Sequence, residues 1–449
     1  MVEPQVIREV FDLTDPDRNV LFGMSLEEAR ERVADGDVQR IREIDGHFAI
    51  VARRGQSVRL ARSLQLPMRY FIVKQREGPA LLVAHRIDTI QAWLEEHGFG
   101  DQFHPSYTRM VPAHHLTQIE LIGCPDPNPT YRRFFAPARE SLPSDTAEIG
   151  RRYIGALAAE IEKWLKTIPS AEPIGVSFSG GIDSGAVFLV LYHVLCELGM
   201  NPARLKAFTL SVDRTGADLE QARRFLGALD LQIFHEPIEV PLEYVDLEQA
   251  IRVIEDYKPL DIQSGAMALA LCRGIRERYP DWRHLVDGEG GDENLKDYPI
   301  EENPELTIRS VLNNTMLYHE GWGVDSIKHS LTYSGGMSRG CARTHAPANH
   351  YGLQGFSPFT LPNVVEVSEG IPFIELTNWD HEVLYRLKGE VVSQGVRAVT
   401  GFEMPVFEKR RFQHGAARDN LVKEHFPEHP SAYRALYQSI FDGAAAAHR

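Results

Sequence analysis

The chain has 449 residues, enough for two or three domains that each bury a core. Hydrophobic residues make up 43% and charged residues 25%, as in ordinary globular proteins, and no apolar run is long enough to cross a bilayer. Lys and Arg number 48 against 63 for Asp and Glu, and the resulting charge of -15 gives nucleic acid no general attraction.

The segment from Val2 to about Arg133 reads as short strands: Gly46 to Ala52, Ser57 to Arg62, Met68 to Val73 and Ala80 to Ala84. Helices fit Ser25 to Ala34, where Ser25 is a cap followed by Glu27 and Glu28, and Ile87 to His97. The Pro-rich stretches Pro125 to Pro129 and Pro137 to Pro143 read as a linker. A helix is expected to begin near Ser144, because Ile149, Tyr153, Leu157, Ile161 and Leu165 recur at helical spacing. From Pro173 strands and helices alternate. Strands are expected at Gly175 to Ser179, Leu205 to Val212, Gln232 to Phe234 and His284 to Asp287. Helices are expected at Ala186 to Leu198, Asp218 to Leu229 and Asp261 to Tyr279. That alternation predicts a doubly wound parallel sheet, in which ligands bind beyond the strand C-termini. Beyond Pro299 the chain reads as helical, with a Gly-rich loop from Ser334 to Gly340.

The run Ser179-Gly180-Gly181-Ile182-Asp183-Ser184 follows the first of these strands and opens a helix. Its glycines allow a tight turn and close approach to a ligand. Its serines and the helix-start amides suit an anionic oxyacid, here the pyrophosphate part of ATP. Asp183 adds a carboxylate that suits a Mg²⁺ bridge to phosphate. Cys124, Cys196, Cys272 and Cys341 are widely spaced, so no zinc or redox motif is signalled. Glu3, Arg8, Glu9, Asp12, Asp15 and Asp17 interrupt the start of the chain, which excludes a signal-peptide core there. ATP use and sparse cysteine point to the cytoplasm.

Three strings in order carry a family resemblance. Ser179 to Ser184 resembles the pyrophosphate-loop ATPase signature. Asp287-Gly288-Glu289-Gly290-Gly291-Asp292-Glu293 resembles the Gly-Glu-Gly-x-Asp-Glu element of asparagine synthetases and β-lactam synthetases. Lys409-Arg410-Arg411-Phe412-Gln413-His414-Gly415 resembles that family's C-terminal Lys-x-x-Phe-x-x-Gly segment. The resemblance implies an α/β chain of two parts. Residues 1–137 would be a stacked-sheet α+β domain like an Ntn hydrolase, and 138–449 a doubly wound domain like the adenine-nucleotide α-hydrolases, with a helical C-terminal part. It implies an AMP-forming ligase using ATP and Mg²⁺ to join a small carboxylic acid to ammonia or an amine, as an amide or lactam. It further implies Ser179, Gly180, Gly181, Asp183 and Ser184 on pyrophosphate, and Asp183 and Asp292 on Mg²⁺. Leu210, Val212, Asp287 and Gly288 would lie by the adenosine, Glu289 by the acceptor nitrogen, and Lys409 by the α,β-phosphate bridge. Lys388 is a second catalytic cation in this reading, against the plainer one of a helix-end lysine. Tyr298, Tyr333 and Arg343 are substrate-pocket candidates. A nucleic-acid-modifying pyrophosphate-loop enzyme and a non-catalytic scaffold are the competing readings, no membrane partner is expected, and a homodimer is left open.

The first domain departs from the family. Asp45 to Ala49 resembles its Gly-x-Phe-Ala strand, and Leu60-Ala61-Arg62-Ser63 its Ala-Arg-Asp strand with serine for aspartate. Its glutaminase needs a cysteine directly after the initiator Met, where the freed amine acts as base to the thiol. Position 2 is Val2 and the earliest cysteine is Cys124, so a retained scaffold without glutamine hydrolysis is expected.

Overall fold

The structure is a computed structural model that describes residues 7–120, 129–214, 216–297, 300, 307–313, 341–407, 415–417 and 423–446. In the first part, β1 (Glu9–Asp12), β2 (Val20–Leu21), α1 (Leu26–Asp35), α2 (Val38–Arg42), β3 (Gly46–His47), β4 (Ala49–Arg54) and β5 (Ser57–Arg62) come first. They are followed by β6 (Arg69–Gln75), β7 (Gly78–Ala84), α3 (Ile87–Glu96), β8 (Arg109–Met110), β9 (His115–Glu120) and β10 (Thr130–Arg133). Two four-stranded sheets form, in the orders β1-β7-β6-β8 and β10-β9-β5-β4. Strand alternation explains their stacking. Val58, Leu60, Tyr70, Leu81, Val83 and Ile119 fill the space between the sheets. Ile50, Ala61 and Leu116 point the other way, toward Ala29 and Val33 of α1 and Ile41 of α2. Phe71, Val73, Leu82 and Ala84 pack toward α3. The result is a helix–sheet–sheet–helix stack.

The expected strand from Gly46 to Ala52 is split in two. Phe48 leaves the ladder because its N–H bonds to Ser63 Oγ at 2.9 Å, while Ser63 N–H returns to Phe48 O at 2.8 Å.

The second part runs α4 (Thr146–Leu165), β11 (Ile174–Ser177), α5 (Ile182–Glu197), β12 (Leu205–Val212), α6 (Asp218–Gly227), β13 (His235–Val240), α7 (Leu247–Ile254), α8 (Pro259–Arg278) and β14 (His284–Val286). It continues with α9 (Gly291–Asn294), α10 (Ile308–Asn313), α11 (Ala346–His350), β15 (Gln354–Phe356), α12 (Pro362–Glu369), α13 (Phe373–Thr377), α14 (His381–Thr400) and α15 (Pro430–Ala446). The five strands form one parallel sheet in the order β13-β12-β11-β14-β15. Strand order reverses at β11 and β14, which opens a crevice at their C-terminal ends. Ile174, Val176, Ala207 and Val286 face α4, α5, α6 and α14, while Phe208, Leu210 and Leu285 face α7 and α8. Gln232–Phe234 is a 3₁₀ turn, not a strand; the strand starts at His235, after a turn closed by Phe234 N–H to Leu231 O at 3.1 Å. The helix after the Gly-rich turn begins at Ile182, earlier than the expected Ala186, with Gly181 as its cap. α4 is capped by Asp145, whose side chain accepts from Ala147 and Glu148 N–H.

α4 and α14 cross where Gly150 meets Gly395. A Cβ on Gly395 would overlap Gly150 O and lie 2.5 Å from Ile154 Cγ1; a Cβ on Gly150 would lie 2.8 Å from Gly395 N. The obstacles include backbone, which cannot rotate away. Gly395→Ala is expected to destabilise the fold by about 2 kcal/mol, because overpacking outweighs the gain in helix propensity. The measurement is the urea midpoint at unchanged m-value. An unshifted midpoint would show that the two helices can separate freely.

Candidate active site

The pyrophosphate-type turn sits at the end of β11. Gly180 has φ +72°, and a Cβ there would stand 3.0 Å from Ala222 Cα, so glycine is required on both counts. Ser179 N–H and Ser184 Oγ are 3.3 Å apart, Gly181 N–H reaches Ser179 Oγ at 3.3 Å, and Gln221 Nε2 holds Ser179 O at 3.2 Å. No side chain caps α5. Its first amides therefore face the crevice as an anion site.

The second loop follows β14. Asp287 N–H bonds Phe356 O at 3.1 Å, and its carboxylate accepts from Ser357 Oγ and Glu289 N–H, each at 3.0 Å. Burial pushes the Asp287 carboxyl up to about 7, against the pull of those donors. Gly288 touches the first loop: a Cβ on it would lie 2.9 Å from Ser184 N. A Cβ on Gly291 would overlap the Asp183 carboxylate. These two glycines let Asp183 and Asp292 approach each other.

Lys388 meets them there. It lies in the middle of α14 rather than at its end, is 2% exposed, and has Nζ 2.6 Å from Asp183 Oδ2, hydrogen-bonded to Asp292 Oδ1 and 3.4 Å from Asp297 Oδ2. Burial by itself would lower its pKa; Asp183, Asp292 and Asp297 more than offset this and hold the ammonium well above its usual range. Asp297 carries no family signature, and its place beside Lys388 comes from the short helix α9. Asn294 anchors that helix through Nδ2 to Tyr153 OH and Phe359 O, both at 3.0 Å.

Glu289 faces a different partner. Arg343, in the one-turn π-helix Cys341–His345, lies 2.9 Å from Glu289 Oε2 and 3.3 Å from Glu293 Oε1. Thr344 Oγ1 donates to Glu289 Oε1 at 3.1 Å. Burial pushes the Glu289 carboxyl up to about 8, with Arg343 pulling the other way. The first domain braces both halves of this arrangement. Gln65 Nε2 donates to Gly355 O at 3.0 Å and contacts His345 Nδ1, and Gln65 Oε1 accepts Ser357 N–H at 3.3 Å.

Leu210 and Val212 overhang β11, whose pairing with β12 ends at Ser177 and Phe208. Both side chains are buried against the α7 and α8 side, so a nucleotide would meet their main chain. Tyr298, Tyr333, Lys409 and Val2 lie outside the described residues. The flanks of the Lys409 segment are described. Val406 Cγ1 is 3.3 Å from the Cβ position of Gly389, Phe407 lies under Arg224 at 5.0 Å, and Gly415 abuts the Asp218 carboxylate. Residues that local reading missed are Asp297, Ser357, Thr344 and Gln65; none falls in a motif.

Residues 166–373 match the family model described as asparagine synthase. This stretch is an asparagine synthetase family synthetase domain. The family is one of ATP-dependent, amide-forming synthetases acting on small molecules. The match spans both loops and ends before α14, so Lys388 joins the synthetase domain through tertiary contact. No curated protein matches the chain. Among the described residues no helix is long and apolar enough to cross a membrane.

Asp183 and Asp292 offer hard oxygens converging on one cation, the donor chemistry of a Mg²⁺ bridge, and that cation is here the Lys388 ammonium. Removing the ammonium should leave a pocket that divalent ions fill. Lys388→Met is therefore expected to gain melting temperature from millimolar Mg²⁺ without ATP, and the parent is not. An equal Mg²⁺ response in both proteins would show that Lys388 does not stand in for a metal.

Proposed function

We propose that the chain is an AMP-forming carbon–nitrogen ligase that adenylates a small carboxylic acid and transfers it to ammonia or an amine, giving an amide or lactam. The supporting observation is the convergence of the Asp183 and Asp292 loops on Lys388 at the point where strand order reverses. In this reading a carboxylate oxygen attacks the α-phosphorus of ATP and pyrophosphate leaves. Ser179, Gly180, Gly181 and Ser184 hold the pyrophosphate, with the α5 amides toward its charge. Leu210 and Val212 present main chain to adenine, and Asp287 and Gly288 border the ribose. Mg²⁺, held by Asp183 and Asp292, would neutralise phosphate charge. Lys388 keeps those carboxylates together, and Lys409 stabilises the charge that develops on the phosphates.

The amine nitrogen then attacks the acyl carbonyl, its proton passes to Glu289, and AMP leaves. Arg343 and Thr344 orient Glu289 for this. Tyr298, Tyr333 and Arg343 remain the candidates for recognising the acid in this reading. We read residues 1–137 as a glutaminase-like scaffold of the Ntn-hydrolase kind and 138–449 as the synthetase part. Residues 1–123 contain no cysteine, and nitrogen from ammonia or an amine rather than glutamine is part of this reading. The nucleotide chemistry and sparse cysteine favour a cytoplasmic setting.

The reading is tested by products: AMP and pyrophosphate in equal amounts, dependent on an acid from a carboxylate panel. Release of ADP and phosphate would overturn it. Lys409→Ala is expected to lower turnover about 10²–10³-fold with nucleotide affinity nearly kept. Turnover within a few-fold of the parent would remove Lys409 from the mechanism.

Glu289 gives a pH dependence. Its carboxyl is neutral below about 8 and ionised above, so amide formation should rise with pH through that value. Glu289→Gln should lose that limb and about 10²–10⁴ in rate. A variant that keeps the same rising limb would assign it to another group.

A further inference from the structure

Among the described residues, the carboxyl groups around Arg343 outnumber the one guanidinium they share. Glu293 is 4% exposed; its Oε1 meets Arg343 at 3.3 Å, and its Oε2 has no hydrogen-bond partner. Asp261 is also 4% exposed, and its Oδ1 has no partner either. It stands in the first turn of α8, which packs against the π-helix that carries Arg343. Its charge, like that of Glu293, acts on the Arg343 guanidinium. Asp256 is within reach of Asp261's charge and has Lys258 Nζ at 3.9 Å from its Oδ2. Glu289, by contrast, has both oxygens engaged, by Thr344 and Arg343.

Burying a carboxylate oxygen without a donor is strongly unfavourable, so each such oxygen calls for a complement, a bound water or ion among them. The missing complement is a compact cation with N–H donors. A guanidinium already fills one side, so the remaining need is small. We propose that Asp261 and Glu293 form a receptor for the cationic nitrogen of the acyl acceptor, either ammonium ion itself or the ammonium end of a primary amine. The inference rests on the ligase reading for the word acceptor, and on the unpaired oxygens for the site. Docked there, the nitrogen sits beside Glu289, the group that would take its proton before attack. Glu293 belongs to the second signature string, and Asp261 lies outside all three.

The test needs neither turnover nor ATP. The full chain is melted in ammonium chloride, methylammonium chloride, sodium chloride and tetramethylammonium chloride at matched ionic strength. One of the two N–H cations should raise the melting temperature saturably, with no such rise from sodium or tetramethylammonium. A larger response to ammonium assigns the free ion, and a larger response to methylammonium assigns a primary amine. Asp261→Asn and Glu293→Gln, which keep side-chain shape, should each weaken the apparent affinity about tenfold or more, the scale of one charge-assisted hydrogen bond. No saturable rise, or the same rise in the parent and both variants, overturns the proposal. So does an Asp261-dependent rise with Mg²⁺ alone, which would make the site divalent. Failure here leaves adenylation standing, and failure of pyrophosphate release leaves the cation site standing.

Discussion

Lys388 reaches the crevice from the middle of α14, and its ammonium is the counter-charge to Asp183, Asp292 and Asp297. The two loops and α9 bring these carboxylates to one point, where they would otherwise repel each other across a partly buried gap. The position of α14 is in turn fixed by its glycine crossing with α4. A packing detail of two hydrogen atoms, at Gly150 and Gly395, thus sets where a charge stands in the site. The glycines at 288 and 291 act the same way from the other side, by removing the Cβ atoms that would keep the loops apart.

The first domain contributes through Gln65. One carboxamide ties Gly355 and Ser357 on the edge strand of the parallel sheet and touches His345 in the turn that carries Arg343. Ser357 then fixes Asp287, and Arg343 and Thr344 fix Glu289. A second tie is the buried pair of Arg69 Nε and Glu255 Oε2 at 2.9 Å, where Glu255 Oε1 also accepts Ile87 N–H at 2.6 Å. Removing one partner of such a pair leaves an uncompensated buried charge and costs about 3–5 kcal/mol. The stacked sheets are therefore part of the wall behind the site rather than an appendage to it.

Charge is divided between the two sides of the crevice. On one side Asp183, Asp292 and Asp297 gather on the Lys388 ammonium, and on the other Glu289 and Glu293 gather on the Arg343 guanidinium. In the proposed reaction the first side would take phosphate through its metal and the second the acceptor nitrogen, so that neither occupies the other's place.

What the sequence determined by itself was local chemistry. The run from Ser179 to Ser184 and the run from Asp287 to Glu293 are contiguous, so their glycines and carboxylates could be read as loops following strands, and the alternation from Pro173 onward announced a parallel sheet. Tertiary structure decided what distance in the chain concealed. Lys388 stood between a catalytic cation and a helix-end lysine, because nothing in its own helix marks the two loops it meets. Leu210 and Val212 were legible as strand residues, but burial of their side chains against α7 and α8 leaves their main chain for a ligand. Asp261 stood only as the start of an expected helix, and Gln65 fell between two expected strands without a reading of its own. Lys388 and Gln65 act through contacts with residues about 90 to 290 positions away, and periodicity and motif spacing carry no information at that range.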